Sequence, residues 1–282
     1  MTDRWFEETL YPHHGQRLKV AEILHREKTD YQDLVIFENP QFGRVLALDG
    51  NVQTTEADEF FYHEMLVHPA IFAHGEVKKA LIIGGGDGGA LREALKHPIE
   101  KATLIEIDSS VVELSKKYLP AISGHAFKDP RTELIIQDGT KFVAETDERF
   151  DVILVDSTDP IGPATVLFQK EFYTNCKRCL TERGILIAQN GVPFLQPEEA
   201  RGAHRLFRGL FPDSSFLVVP VPTYVGGFMT LGWASLSEKN RAVSRDTIER
   251  RFAGSGVSTR YYNPDIHLAA FALPTYIREL MG

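Results

Sequence analysis

The sequence predicts an α/β protein in which a small antiparallel β domain precedes a larger domain built on a mostly parallel sheet. From Lys79 onward, short apolar runs of strand length alternate with longer segments of helical character, as in repeated β-α-β units. Before residue 56, apolar and polar residues alternate within short segments that turn residues separate, as in antiparallel strands. We therefore divide the chain into residues 1–55 and 56–282.

The length and composition fit an ordinary folded protein. The chain has 282 residues, of which 43% are hydrophobic and 25% charged, so disordered and coiled-coil classes fit poorly. A net charge of −8 argues against nonspecific nucleic-acid binding and favours neutral or cationic partners. The polar start does not match a signal peptide, and no apolar run approaches the ~18 residues of a membrane span. We expect a cytoplasmic protein with no membrane partner.

The N-terminal region predicts three strands, at 18–24, 33–38 and 43–48, with clusters of turn-forming residues between them. From Glu56 the pattern becomes helical, with apolar residues near one stripe of the helix. This segment is predicted to connect the β domain to the larger domain.

Five apolar runs predict the central strands of the larger domain. Because helical segments separate them, we expect a mostly parallel sheet buried on both faces. Ligands of such sheets bind beyond the carboxyl ends of the strands, so the residues just after each run are the candidates for a site. The five runs cover 80–83, 102–107, 132–136, 152–155 and 184–188.

The first run is followed by GGGDGG at residues 84–89. The glycines match the dinucleotide fingerprint in outline, and Glu106 at the end of the next strand could accept hydrogen bonds from ribose hydroxyls. Asp87 argues against a diphosphate, because a carboxylate would repel its oxygens. The loop therefore favours a nucleoside with a positive group, such as the sulfonium or amine of an S-adenosylmethionine derivative.

Two further strand ends carry acids. Asp138 and Gly139 follow the third run, where an aspartate can bond the exocyclic amine of adenine, although such a pair alone is typical of a turn or helix N-cap. The fourth run ends at Asp156, and Asp159 follows in a stretch whose Pro and Gly residues suggest a lid over 157–169. A cluster of carboxylates repels itself unless cations occupy it. A polyamine is such a cation.

Two patterns that are typical of metal sites do not fit. His63 and His68 are five residues apart, not four as in H-E-x-x-H, so they do not share a helix face. Cys176 and Cys179 lie in a helical segment without further ligands at suitable spacing, so we interpret them as ordinary reduced thiols. We predict no metal.

Together these residues resemble the polyamine aminopropyltransferases, within them the bacterial spermidine synthases, and the resemblance runs nearly end to end. It implies a methyltransferase-like Rossmann domain that follows the β domain in the chain. It implies transfer of an aminopropyl group from decarboxylated S-adenosylmethionine, a co-substrate, to putrescine, with spermidine and 5′-methylthioadenosine as products. It also implies a homodimer, with the N-terminal β domain contributing to the contact. The chemistry of the reaction requires no cofactor. The motifs that carry the resemblance are YQDL at 31–34, LDGNVQTTE at 48–56, DEFFYHEM at 58–65, GGGDGG at 84–89, DSTDPIGP at 156–163, PTY at 222–224 and YYNP at 261–264.

The resemblance also implies roles for single residues. Asp87 would hold the amine of the donor, Asp156 would accept the proton, and Gln53 would lie near the polar substrates. Val225 stands where many bacterial members have a tyrosine, which leaves the choice among putrescine, cadaverine, agmatine and spermidine open. The expected nucleoside contacts are Gln32, Glu106, Asp138, Gly139 and Pro163. The expected diamine channel is lined by Tyr62, His63, Asp156, Asp159 and Tyr224.

The chemistry of the substrates agrees with this assignment. An alkylamine with a pKa of about 10.4 costs roughly 4.6 kcal/mol to deprotonate at pH 7, so a proton acceptor such as Asp156 is needed. Two alternatives remain. A methyltransferase would use intact S-adenosylmethionine, whose carboxylate Asp87 should disfavour. A polyamine-binding module without turnover is disfavoured by the presence of both Asp156 and Asp159.

Overall fold

The computed structural model describes residues 4–158, 167 and 169–282, which form three β-sheets with helices packed around the largest one. The two N-terminal sheets are antiparallel, as predicted. The single strand predicted at 18–24 is instead two strands that belong to different sheets, because the extended conformation is interrupted at Ala21. The smaller sheet pairs β1 (Arg4–Glu7) with β2 (Arg17–Val20), and the other contains β3 (Glu22–Lys28), β4 (Asp33–Asn39), β5 (Gly43–Leu48) and β6 (Asn51–Thr55).

The large sheet has seven strands in the order β12-β13-β11-β10-β7-β8-β9. Its five strands β7 to β11 are parallel and coincide with the five predicted runs. The other two strands form an antiparallel edge that the sequence did not predict, so the sheet is mixed. The strands are β7 (Lys79–Gly84), β8 (Lys101–Glu106), β9 (Thr132–Ile136), β10 (Phe150–Asp156), β11 (Leu180–Gln189), β12 (Asp213–Pro220) and β13 (Phe228–Ser235).

Helices cover both faces of the large sheet, and alternate strand residues feed two separate apolar cores. Ile82 and Leu154 belong to one core, whereas their neighbours Leu81 and Ile153 belong to the other. No helix in the described ranges is long and apolar enough to cross a membrane. The helices are α1 (Glu59–His74), α2 (Gly89–Leu95), α3 (Ser109–Tyr118), α4 (Pro120–Ser123), α5 (Gly139–Glu145), α6 (Lys170–Arg178), α7 (Pro197–Leu210), α8 (Arg245–Ser255), α9 (Pro264–Ala269) and α10 (Thr275–Met281).

Helix α1 is buried on nearly all sides, unlike the single apolar stripe that the sequence suggested. It packs against β10 and β11 and beside α2, and 14 of its 16 residues are buried. Several of these buried residues are acids and histidines, which must find polar partners inside the protein. The partners of these side chains determine much of the site described below.

The residues of the two metal-like patterns have other partners. His63 bonds to Glu59, whereas His68 bonds to Glu93, so the two histidines do not converge. The two cysteines, at the end of α6, are free and buried, and burial raises the pKa of both thiols, as fits structural cysteines. In the described part of the chain, no group of three His, Cys, Asp or Glu side chains could hold a metal ion.

Candidate active site at the carboxyl edge of the large sheet

A cleft of about 370 Å³ lies beyond the carboxyl ends of β7, β8, β9 and β10, where open α/β sheets bind ligands. Its remaining walls come from the four-stranded sheet, from α1 and from the segment after β12. Asp159, Pro163 and most of the predicted lid lie outside the described residues. The cleft is lined by all the other residues that the sequence singled out for the site, which are Gln32, Gln53, Tyr62, His63, Asp87, Glu106, Asp138, Gly139, Asp156 and Tyr224.

The glycine loop after β7 allows Asp156 to approach closely. Gly84 and Gly85 have φ angles of +81° and +70°, which favour glycine. A Cβ atom on Gly85 would lie 2.5 Å from Asp156 Oδ2, and one on Gly84 would lie 2.1 Å from the Asp156 carbonyl oxygen. These glycines therefore make room for the backbone and the carboxylate of Asp156 on the neighbouring strand.

One side of the cleft, which we call the Glu106 end, contains Gln32, Glu106, Asp138 and Gly139. Glu106 accepts hydrogen bonds from the backbone N–H groups of Gly86 (3.1 Å) and Asp108 (2.9 Å). Burial, with a smaller effect from Asp108, raises the pKa of Glu106 to about 7. This carboxyl group changes its charge near neutral pH.

Asp138 is the N-cap of α5, because its Oδ1 accepts hydrogen bonds from the backbone N–H and the hydroxyl of Thr140, both at 2.8 Å. The capping role that the sequence left open is therefore present. Gly139 lets α5 start against β7, since a Cβ atom there would lie 2.4 Å from Ile83 Cγ2. Capping and contact with the cleft are compatible, since both residues also line it.

Gln32 reaches the Glu106 end through a residue that the sequence analysis missed. Its Nε2 donates to Asp108 Oδ2 at 2.9 Å, and the hydroxyl of Thr29 donates to the same oxygen at 2.7 Å. Asp108 caps α3 just beyond β8, so it joins the N-terminal sheet to the large sheet. An acid two residues after Glu106 was the available signal, but its partner is 76 residues away.

The other side, which we call the Asp156 end, contains Tyr62, His63, Asp87, Asp156 and Tyr224. The hydroxyl of Tyr62 donates to Asp156 Oδ1 at 2.7 Å, whereas Asp156 Oδ2 is buried without a hydrogen-bond partner among the described residues. Burial, with the nearby charge of Asp87, raises the pKa of Asp156 to about 6. Asp156 can therefore accept a proton more readily than an exposed aspartate.

Asp87 has the opposite character. Its Oδ1 accepts a hydrogen bond from the backbone N–H of Gly89 at 2.7 Å, and its Oδ2 lies 3.4 Å from His63 Nε2. Burial opposes both charges, but the pairing lowers the pKa of Asp87, and Asp87 together with Glu59 raises the pKa of His63 well above its usual value. Asp87 is thus a carboxylate held against an imidazolium.

Tyr224 is held in place by contacts that are distant in sequence. Its hydroxyl donates to the carbonyl oxygen of Gln53 at 2.6 Å. Asp58 Oδ2 accepts from the backbone N–H and the hydroxyl of Thr223, at 2.9 and 2.7 Å, which positions the residue just before Tyr224. Asp58 belongs to the motif at 58–65, but the sequence analysis assigned it no role.

Comparison with known proteins agrees with this architecture. Residues 59–245 match the family model described as spermine/spermidine synthase domain, and residues 4–56 match the one described as spermidine synthase tetramerisation domain. Polyamine aminopropyltransferase 1 of Pseudomonas aeruginosa is 55% identical, over 98% of this chain and 97% of the relative. The polyamine aminopropyltransferase of Serratia proteamaculans is 53% identical, over 99% and 97%.

Solved structures give the same result. A spermidine synthase in complex with the transition state analogue AdoDATO superposes with a TM-score of 0.94 at 38% identity, covering 100% of this chain and 96% of that one. The spermidine synthase from Thermotoga maritima superposes with a TM-score of 0.92 at 37% identity, covering 100% and 95%. The predicted Rossmann-like fold behind a small β domain is thereby confirmed. The chain belongs to the spermine/spermidine synthase family, the polyamine aminopropyltransferases.

Proposed function

We propose that this protein transfers the aminopropyl group of decarboxylated S-adenosylmethionine to putrescine, releasing spermidine and 5′-methylthioadenosine. The observation that carries the proposal is the pair of unlike carboxylates in one cleft. Asp87 is an ion-paired anion, suited to hold an ammonium, whereas Asp156 has a pKa of about 6 and is suited to take up a proton. The names of these relatives, which are polyamine aminopropyltransferases, support the same reaction class.

The Glu106 end suits the nucleoside of the donor. Glu106 accepts hydrogen bonds from the ribose hydroxyls, and Asp138 with Gly139 faces the adenine. Gln32 covers the nucleoside from the N-terminal sheet, and Pro163 is assigned to the same part of the donor by the family resemblance alone. Asp87, which also lines the cleft, binds the amine of the aminopropyl group.

The Asp156 end suits the diamine. Tyr62, His63 and Tyr224 line its path, Gln53 lies beside Tyr224, and Asp159 binds the far ammonium, a role that we assign from the sequence alone. Asp156 first takes a proton from the near ammonium, and the nitrogen lone pair that this frees attacks the methylene carbon next to the sulfonium. The carbon–sulfur bond breaks, and sulfur keeps its electron pair as a neutral thioether. Because a sulfonium is already a good leaving group, we expect no cofactor.

The proposal is tested by product analysis with the purified protein. Decarboxylated S-adenosylmethionine is supplied with putrescine, cadaverine, agmatine or spermidine in separate reactions, and products are measured by mass spectrometry. We expect spermidine and methylthioadenosine in equal amounts, with putrescine the best acceptor. A better rate with another amine would correct the acceptor, methylated amine from intact S-adenosylmethionine would favour a methyltransferase, and no turnover with any amine would refute the proposal.

We also propose a homodimer with contacts from the N-terminal β domain. Two large apolar side chains of that domain, Trp5 and Ile23, are each 44% exposed. One matched family model is described as a tetramerisation domain, so a tetramer is the competing assembly. Sedimentation equilibrium separates the two, and a variant in which Trp5 and Ile23 are both replaced by serine should shift the protein toward the monomer.

A further inference from the structure

A series of charged side chains, the carboxylates among them buried, runs from the cleft into the space between α1 and α2. Glu59 Oε2 lies 2.7 Å from His63 Nδ1 and 2.8 Å from a terminal nitrogen of Arg92. Arg92 also pairs with Glu93 at 2.7 Å. Glu93 in turn pairs with Lys96 at 2.7 Å and bonds to His68 at 2.8 Å. Glu59 and the other members of this series do not line the cleft. The series is connected to the cleft through His63, which does line it.

The ring of His63 has a carboxylate at each nitrogen. Glu59 on the same helix contacts Nδ1, and Asp87 on the glycine loop lies at Nε2. Because a carboxylate lies at each ring nitrogen, the protonated ring can donate an N–H group to both carboxylates. The ring also packs closely against Gly89, since a Cβ atom there would lie 2.2 Å from His63 Cε1.

The charge of His63 also acts on Asp156. Among the described residues, the charged and titratable groups that act on Asp156 are Tyr62, His63 and Asp87. Asp87 makes a second negative charge at Asp156 unfavourable, whereas a protonated His63 and the hydrogen bond from Tyr62 make it favourable. Loss of the His63 charge would leave two buried carboxylates facing each other with no cation between them.

We propose that Glu59 is a positioning residue of this cleft: it orients the ring of His63 and, by holding that ring as a cation against Asp87, sets the pH range in which Asp156 accepts a proton. Arg92 completes the arrangement by compensating the charge of Glu59. This inference rests on the proposed function only where turnover is the readout.

The test compares Glu59→Gln with two matched variants. Glu59→Gln keeps the size of the side chain and removes its charge. Glu59→Asp keeps the charge and shortens the side chain. Glu93→Gln removes the other buried carboxylate that is bonded to Arg92. Glu93 contacts His68 and Lys96 and does not contact His63. The measurements are NMR titrations of the His63 ring and of the Asp156 carboxyl carbon, and the pH profile of kcat/KM.

In Glu59→Gln we expect His63 to lose its proton at lower pH than in the unmodified protein. The Asp156 titration and the acidic limb of kcat/KM should both move up by about one pH unit, a shift typical of losing one nearby opposite charge. In Glu59→Asp, the Asp156 titration and the acidic limb of kcat/KM should stay within a few tenths of a pH unit of their values in the unmodified protein. Glu93→Gln should lower the melting temperature without moving either titration.

An unchanged Asp156 titration in Glu59→Gln, or an equal shift in Glu93→Gln, would overturn the inference. A uniform loss of activity at every pH would also overturn it, since that is the effect of a structural role alone. If Glu59→Gln does not fold, the double variant Glu59→Gln with Arg92→Gln leaves no uncompensated guanidinium at this position and is measured instead. If the unmodified protein forms no methylthioadenosine, the proposed function fails, but the two NMR titrations still decide the role of Glu59.

Discussion

At the Glu106 end of the cleft, Glu106 and Asp138 accept hydrogen bonds from backbone N–H groups in the segments that follow strands of the large sheet. At the Asp156 end, Asp156 accepts a hydrogen bond from a residue 94 positions away, and Tyr224 donates one to a residue 171 positions away. The first arrangement follows from the β-α-β pattern, whereas the second requires the N-terminal sheet, α1 and the segment after β12 to be packed together. The two ends should therefore respond differently to substitution, with binding of the nucleoside separable from the chemistry at the Asp156 end.

Asp156→Asn is expected to separate turnover from nucleoside binding most strongly. Because the amide cannot take up the proton, kcat should fall by roughly 10²- to 10⁴-fold, the range of general base catalysis. Affinity for methylthioadenosine, measured by calorimetry, should stay nearly the same. Asp151→Asn is the control, since Asp151 lies in the same strand and accepts bonds from the backbone N–H groups of Lys78 and Lys79 at 2.8 and 3.1 Å. Wild-type turnover in Asp156→Asn would refute the assignment.

Asp87→Asn should alter the choice of donor. Two like charges about 4 Å apart cost on the order of 4 kcal/mol at an effective dielectric near 20, and relaxation reduces this figure. We expect the unmodified protein to prefer the decarboxylated donor over intact S-adenosylmethionine by ~10²-fold, and the variant to lose most of that preference. Methylthioadenosine has no amine and serves as the control ligand. Equal loss of affinity for all three ligands would mean that Asp87 only shapes the turn.

The Glu106 end should show its own pH dependence. The pKa of Glu106 is raised to about 7, so the carboxyl is protonated below that pH and ionised above it. Only the ionised form accepts hydrogen bonds from both ribose hydroxyls, so methylthioadenosine should bind about tenfold more weakly at pH 6 than at pH 8. Glu106→Gln should bind with no such dependence. Equal dissociation constants of the unmodified protein at the two pH values would contradict this prediction.

Tyr62→Phe tests the Asp156 end in the same way. The Tyr62 hydroxyl stabilises the ionised form of Asp156, whose pKa is about 6, so its removal should raise that pKa. The acidic limb of kcat/KM should move up by about one pH unit, so that activity falls mainly at low pH. Tyr173→Phe, at a buried tyrosine of α6 away from the cleft, should leave the limb in place. A uniform decrease at all pH values would contradict the assignment.

The smallest effect is expected from Tyr224→Phe. This change removes the hydrogen bond to the carbonyl oxygen of Gln53, which is worth about 1 kcal/mol. The KM for putrescine should rise about fivefold, and the dissociation constant of methylthioadenosine should not change. Steady-state kinetics with each substrate varied in turn measures both. If the KM values of donor and acceptor rose equally, the two ends of the cleft would not be separable at this residue.

Much of the fold follows from local patterns. The five parallel strands coincide with five apolar runs, because strands buried on both faces need continuous apolar sequence. The antiparallel pair β12 and β13 was not predicted, since its strands continue the same sheet without a crossover helix between them. The interruption at Ala21 was also missed, because apolar and polar residues are mixed on both sides of it and do not show which sheet each half joins.

The site shows the same division at the level of single residues. Asp87, Glu106, Asp138 and Asp156 could be found from the sequence, because a parallel sheet brings its strand ends to one edge. Glu59, Asp58 and Asp108 were missed, since their importance comes from partners that are distant in the sequence. The family motifs contain two of the three, but a motif does not state which side chain each acid contacts.

The sequence by itself determined that strand ends rich in acids would meet, because periodicity and the right-handed connection of parallel strands depend only on the order of the residues. The tertiary structure alone decided which carboxylate is an anion and which is a base. Asp87 and Asp156 are the same residue type at neighbouring strand ends, yet the pKa of one is lowered and that of the other is raised to about 6. The difference arises because His63 and a backbone N–H reach Asp87, whereas one oxygen of Asp156 is buried without a described partner, and charge in a protein interior depends on distance and burial rather than on position in the chain.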